Sequence, residues 1–218
     1  MKDNLPKVRS ADQKLIEIRN IYCVGRNFIS HAEELNNPIP EKPVIFQKSN
    51  SALTTSSEIT IPATTDIQHE LEVVVLIHSD GYKIKVKNAM NHVGGYGLGL
   101  DLTDRKMQHE LKSKGLPWFL SKNFRNSAIV SDFNHWNDLK WNSVFWLEKN
   151  QVIVQEGKIS DMIFSVEILI EFLSHRIPLI AGDILFTGTP EGVGPIEKGD
   201  ELKIGLGDNI LKVVKIKY

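Results

Sequence analysis

His69-Glu70-Leu71-Glu72-Val73-Val74-Val75-Leu76-Ile77 places two acids two positions apart at the head of an apolar, β-branched run. Alternate residues of a strand share a face, so Glu70 and Glu72 converge. Like charges side by side on a strand repel, and burial raises the cost, so the pair calls for a bound cation or basic partners. A third acid, Asp101, closes Gly97-Leu98-Gly99-Leu100-Asp101, a strand-like segment whose glycines allow close backbone approach and leave room for a ligand. Three oxygen ligands without a cysteine cluster favour a hard ion that keeps open or water-filled positions: Mg²⁺ first, then Mn²⁺ or Ca²⁺, with zinc disfavoured. The plainer alternative has the glutamates lining a solvated strand edge and Asp101 capping the helix that follows. Spacing alone leaves both open.

Outward from this run the pattern stays β-rich, over residues 21–24, 43–46, 59–62 and 94–100, with Pro and Ser/Thr clusters as punctuation. Late strands are expected at 184–187, 202–204 and 210–216. Helices are few. One covers 103–114 and ends at Gly115, and another covers 164–175, with Val166, Leu169, Ile170 and Leu173 at helical spacing. A short one falls within 27–35, with Ser30 as its N-cap candidate. The expected fold class is mainly β (α+β): a single irregular domain over residues 1–218, in which residues 1–20 are a short lead-in.

Composition bounds the function. The 218 residues carry 26 Lys and Arg against 27 Asp and Glu, a formal net charge of -1, so no global field draws in nucleic acid or an anionic membrane. The apolar runs fall far short of the roughly 20 residues that span a bilayer, and residues 1–10 have no apolar signal core. A cytoplasmic location is expected. The single cysteine, Cys23, has no disulfide or CxxC partner and reads as a buried structural thiol. No Gly-Lys-Ser/Thr loop or helix-opening GxGxxG is present, which disfavours nucleotides; no organic cofactor is expected.

Five motifs then fall in a familiar order: Cys23-Val24-Gly25-Arg26-Asn27, His69-Glu70-Leu71-Glu72, Gly99-Leu100-Asp101-Leu102-Thr103, Lys114-Gly115-Leu116-Pro117-Trp118 and Thr187-Gly188-Thr189-Pro190-Glu191-Gly192-Val193-Gly194-Pro195. From about residue 21 to residue 212 the sequence resembles the fumarylacetoacetate hydrolase family, most closely its short single-domain acylpyruvase and oxaloacetate decarboxylase branch. The resemblance implies a mixed β-sandwich or β-roll with a few short helices. It also implies that Glu70, Glu72 and Asp101 hold Mg²⁺ or Mn²⁺.

His31 and Glu34, three apart, would share a helical face, where the carboxylate can orient the imidazole and raise its basicity. An HxxE pair is usually a solvated helix face, and Glu33 is an equally available partner. The resemblance gives the water-activating role to His31 and Glu34. A lone lysine is ordinarily solvated, but the resemblance points Lys122 at the substrate, where an ammonium would stabilise a developing oxyanion. Arg105 and Gln108 start the helix after Asp101 on one side and are candidate carboxylate and carbonyl binders, with Arg26 and Thr189 as further substrate contacts. The turn at Thr187–Pro190 could present backbone N–H groups to an anion. Asp104 and Lys106, which flank Arg105, depart from the usual pattern and alter charge near the entrance; Ser160 stands where relatives usually have Thr.

Such a site suits small 2-oxo acids, because a cation chelated by the C1 carboxylate and C2 oxygen stabilises a C2–C3 enolate. Hydrolysis of an acylpyruvate is the expected reaction, given the His31–Glu34 dyad. Decarboxylation of oxaloacetate and isomerisation or tautomerisation of 2-oxo diacids are alternatives on the same site, and a catalytically inactive metal-binding β domain is the alternative of another class. A homodimer is expected from the resemblance; Trp136, Trp141 and Trp146 could serve interface or core.

Overall fold

The computed structural model describes residues 5–30, 39–62 and 66–217. A seven-stranded mixed sheet runs in the order Val44–Lys48, Ile21–Gly25, Ile184–Phe186, Leu71–Ile77, Val93–Asp101, Ala128–Val130 and Leu53–Thr54. Two of its pairs are parallel, Ile184–Phe186 with Ile21–Gly25 and Ala128–Val130 with Leu53–Thr54. Leu71–Ile77 is buried at every position, so its sequence is a nearly unbroken apolar row instead of an alternation.

Both faces of the sheet are covered. Leu71, Val73, Leu98, Leu100 and Ile129 pack against Phe145, Leu147, Leu202 and Ile204 of a five-stranded sheet. That second sheet is ordered Val152–Lys158, Val144–Lys149, Glu201–Leu206, Asn209–Ile216 and Glu58–Ile59. Further along, Val75 and Ile77 lie under helix Val166–Ser174, which buries Leu169, Ile170 and Leu173. The opposite face, with Val74, Leu76, Cys23 and Phe186, is closed by Val8 and Ile18. Each fully buried Leu, Ile or Val contributes about 1.5–3 kcal/mol, so this two-layer core holds the site's strands in fixed register.

The β-rich class with few helices is as the sequence predicts, and three local expectations change. Residues 1–20 are not merely a lead-in, since Lys7–Arg9 and Leu15–Glu17 pair as a hairpin. Their three-residue strands are too short to show a period. The hairpin of Val144–Lys149 and Val152–Lys158 is not foreseen, because its two-residue turn is Asn150-Gln151, at φ 50° and 70°, without the glycine that marks such turns. Ile29 and Ser30 are already helical, so Ser30 is not the N-cap.

Candidate metal centre

Glu70 and Glu72 flank Leu71 at the start of one central strand, and Asp101 ends its antiparallel neighbour. Glu72 pairs with Gly99, and Asp101 follows two residues later, so the two acids share a face. The Asp101 N–H donates to the Glu70 carbonyl at 2.8 Å, locking the two segments together at the acids themselves. One carboxylate oxygen from each of the three lies within 4.8 Å of the others, and all three residues are buried.

This burial removes the solvated-edge alternative. Asp101 is not the helix cap either: the side chain of Asp104 accepts from the Met107 N–H at 3.0 Å and caps helix Arg105–Ser113. Asp104 is itself buried, so it does not set charge at an entrance as expected. Gly99 likewise makes room for the core and not for a ligand. A Cβ there would lie 2.7 Å from both the Phe186 ring and the Ile129 carbonyl.

Three buried cations face the three acids. Lys122 Nζ donates to Glu70 Oε2 and Asp101 Oδ2, both at 2.7 Å. Arg105 Nη2 donates to Glu70 Oε1 at 2.5 Å. Lys48 Nζ lies 2.7 Å from Asp101 Oδ1, but it donates to the carbonyls of Leu102, at 2.9 Å, and Lys122. Among the described residues, Asp101 Oδ1 is a fully buried oxygen faced by that ammonium alone.

Burial, then the charges of Asp101 and Glu70, push the Glu72 carboxyl well above the usual range, against the Gly188 N–H that it accepts at 2.6 Å. Burial pulls Lys48 below its ordinary value despite Asp101. It acts the same way on Lys122, but Asp101 and Glu70 outweigh it and hold that ammonium above its ordinary value. An all-carboxylate set in which Glu72 is short of counter-charge fits a hard divalent ion. Glu70, Glu72 and Asp101 would hold it.

A cleft opens beside the triad, where Glu70 and Glu72 meet Arg26, Arg105, Gln108, Lys112, Lys122 and Thr189 along its wall, with Phe46 and Trp118. Arg105 is more committed than the sequence suggests, since Nε donates to Gln68 Oε1 at 2.9 Å and Nη1 to Gln108 Oε1 at 2.7 Å. Arg26 sits at φ 59°, a left-handed conformation costing a non-glycine residue about 1–2 kcal/mol. Asn27 holds that turn. Its side-chain amide donates to the Thr187 carbonyl at 2.7 Å and to Phe164 O at 3.0 Å, while its oxygen accepts from Phe164 N at 2.8 Å. The anion met by the Thr187–Pro190 turn is the protein's own Glu72, through Gly188.

The structure thus gathers Glu70, Glu72, Lys122, Arg26, Arg105, Gln108 and Thr189 around one cleft, with Asp101 buried beside the two glutamates. His31 and Glu34 lie outside the described residues. Sequence reasoning passed over Lys48, Lys112 and Gln155. Gln155 Oε1 accepts from the Leu71 N–H at 3.0 Å and meets His69 Nδ1 at 2.8 Å, so that nitrogen carries the proton. Its Nε2 donates to Thr189 Oγ1 at 3.0 Å and to Pro190 O at 3.1 Å. One buried amide thereby ties the acid-bearing strand to the Thr189 turn.

Two neighbouring strands of a curled mixed sheet bring three buried carboxylates together among buried cations, which defines a β-rich domain with a candidate metal centre. Residues 20–214 match the family model described as fumarylacetoacetate (FAA) hydrolase C-terminal. The chain belongs to the fumarylacetoacetate hydrolase family. It is 40% identical over 203 residues to the mitochondrial oxaloacetate tautomerase FAHD1 of Mus musculus, covering 91% of this chain and 92% of that protein. It is also 40% identical over 193 residues to a mitochondrial oxaloacetate decarboxylase of Dictyostelium discoideum, covering 86% and 88%. Fumarylpyruvate hydrolase of Pseudomonas aeruginosa, solved with Mn²⁺ and pyruvate, superposes with a TM-score of 0.91 at 29% identity, covering 100% of this chain and 97% of that one. Among the described residues no helix is long and apolar enough to cross a membrane.

Proposed function

We propose that the chain, as one catalytic domain, is a Mg²⁺- or Mn²⁺-dependent tautomerase of oxaloacetate-like 2-oxo diacids. The observation that carries this is charge. Three buried carboxylates are matched by Lys48, Lys122 and Arg105, so a divalent cation leaves two positive charges, and Arg26 and Lys112 at the cleft add more. A dianion meets that surplus better than a monoanion. The relatedness to oxaloacetate tautomerases supports the same choice.

The metal, when bound, would draw electron density from the C1 carboxylate and C2 oxygen of the substrate and so acidify C3. In conversion of enol to keto form, a proton leaves the C2 hydroxyl and one is delivered to C3. Lys122, held at the triad, is placed to stabilise negative charge developing on the substrate oxygen. Gln108 and the Thr189 hydroxyl orient the acid. The proton at C3 is assigned to His31 backed by Glu34 on the strength of the sequence resemblance.

A specific feature favours acylpyruvate hydrolysis as a second activity. An apolar recess of Val44, Ile45, Pro117 and Phe119 shares Phe46, Trp118 and Lys122 with the metal cleft and could receive an acyl group. Assembly as a homodimer is also proposed, and light scattering coupled to size-exclusion chromatography tests it. For the main reading, decay of enol-oxaloacetate absorbance should accelerate with enzyme and Mg²⁺ or Mn²⁺ and return to the background rate with chelator. No acceleration with either ion, alongside hydrolysis of acetylpyruvate, would replace the tautomerase by the hydrolase.

A further inference from the structure

Arg105, Gln108 and Lys112 are spaced by three and four along one helix, so they share a face, and all three line the cleft. Helical side chains lean toward the N-terminus, which carries Lys112 back over Gln108 toward the triad. Its Nζ stands 4.9 Å from the centroid of the Trp118 ring, a seat that holds an ammonium at the cleft wall.

The charges around it are unbalanced. Arg105 is paired with Glu70, whereas neither Lys112 nor Arg26 has a carboxylate within ion-pair distance among the described residues. Burial, then repulsion from Arg26 and Arg105, brings the Lys112 ammonium down to about 8. Cations that face a cleft with no carboxylate in ion-pair reach of two of them are the arrangement that a bound anion relieves. The strained backbone at Arg26 is a second sign of a site held for a ligand.

We propose that Lys112, with Arg26 beside it, forms a subsite for the second carboxylate of a 2-oxo or 2-hydroxy diacid, and so selects diacids over monoacids at the metal centre. The inference rests on the reading of the cleft as a 2-oxo acid site and adds which residue reads the far end. The C1 end belongs to the triad and Lys122. Lys112 stands about two helical turns beyond Arg105, on the same face, and its side chain leans back to where the C4 carboxylate of a four-carbon diacid would emerge.

Malate and lactate, a matched dianion and monoanion that the enzyme does not tautomerise, separate the two ends. Calorimetric titration of each into Mn²⁺-loaded wild-type protein should give malate a preference of about 10-fold or more, the worth of one charge-assisted contact. Lys112→Met, which keeps the apolar stem on Trp118, should reduce that preference to within about twofold while lactate binds as before, and Lys112→Arg should restore most of it. A preference retained in Lys112→Met, or absent from the wild type, overturns the subsite. Oxaloacetate turnover measured in parallel reports separately on the proposed function. Inert wild-type protein that still loses its malate preference with Lys112→Met would overturn the tautomerase and leave the subsite standing.

Discussion

Replacing Lys48 by methionine removes an ammonium that no solvent reaches and keeps most of the side-chain volume. That ammonium lies 2.7 Å from Asp101 Oδ1 and donates to the carbonyls of Leu102 and Lys122. Removing one partner of a buried ion pair costs about 3–5 kcal/mol, and each carbonyl left without its donor about 1–3 kcal/mol. Against this, the burial penalty that depresses the Lys48 pKa disappears. The net loss is about 3 kcal/mol. At about 2–4 °C per kcal/mol for a chain of this size, the metal-free variant should melt roughly 6–12 °C lower. Metal affinity should move the other way. The wild-type acids and cations cancel three against three, and loss of Lys48 leaves one negative charge over. Mn²⁺ at about 100 times Kd would then return about 2.7 kcal/mol. Scanning calorimetry of both proteins, in chelator and in saturating Mn²⁺, reads all four states. A chelator-state difference below about 2 °C, or weaker Mn²⁺ binding by the variant, would refute the reasoning.

Three further outcomes are expected. Asp104→Ala removes the N-cap of helix Arg105–Ser113 and should lower stability by about 1 kcal/mol, seen as a melt about 2–4 °C lower. Gln155→Leu deprives the Leu71 N–H and His69 Nδ1 of their buried acceptor, so urea unfolding should show a loss of about 3 kcal/mol, while Gln155→Glu, which keeps an acceptor there, should lose less. Lys112 releases its proton near pH 8 in the folded protein but near 10.5 when unfolded, so between those values the unfolded chain holds the extra proton. Its contribution to stability therefore rises with pH across that window. Urea midpoints from pH 8 to 10 should rise more steeply for wild type than for Lys112→Met.

How far the sequence reveals the site depends on whether a residue's partners are local. Glu70, Glu72 and Asp101 are readable because period-two geometry and like-charge repulsion act between near neighbours, and Asp101 ends a strand that pairs with theirs. Lys48 is not, because the apolar pattern ends at Phe46. In fact the strand runs on to Lys48, two residues further on the same face. Gln155 lies in Val152-Ile153-Val154-Gln155-Glu156, where nothing local marks it as buried, and its partner His69 is 86 residues away. Only the pairing of Val144–Lys149 with Val152–Lys158, and the packing of that sheet on the first, brings the two together. Lys112 looks like any exposed helix lysine until Trp118 and Arg26 are seen beside it. Glycines mislead in the other direction: Gly99 signals close approach, but the atom that approaches is Phe186. The β-rich class, by contrast, follows from apolar runs that need no distant partner to be recognised.

Equilibrium titration of Mn²⁺ followed by electron paramagnetic resonance tests the centre itself, comparing wild type with Glu72→Gln and Asp101→Asn in protein shown by circular dichroism to be folded. One tightly held ion per chain, with affinity falling at least about 10-fold in either variant, is the predicted result. Wild-type protein that holds no Mn²⁺, or variants that hold it as tightly as wild type, would contradict a metal centre at Glu70, Glu72 and Asp101.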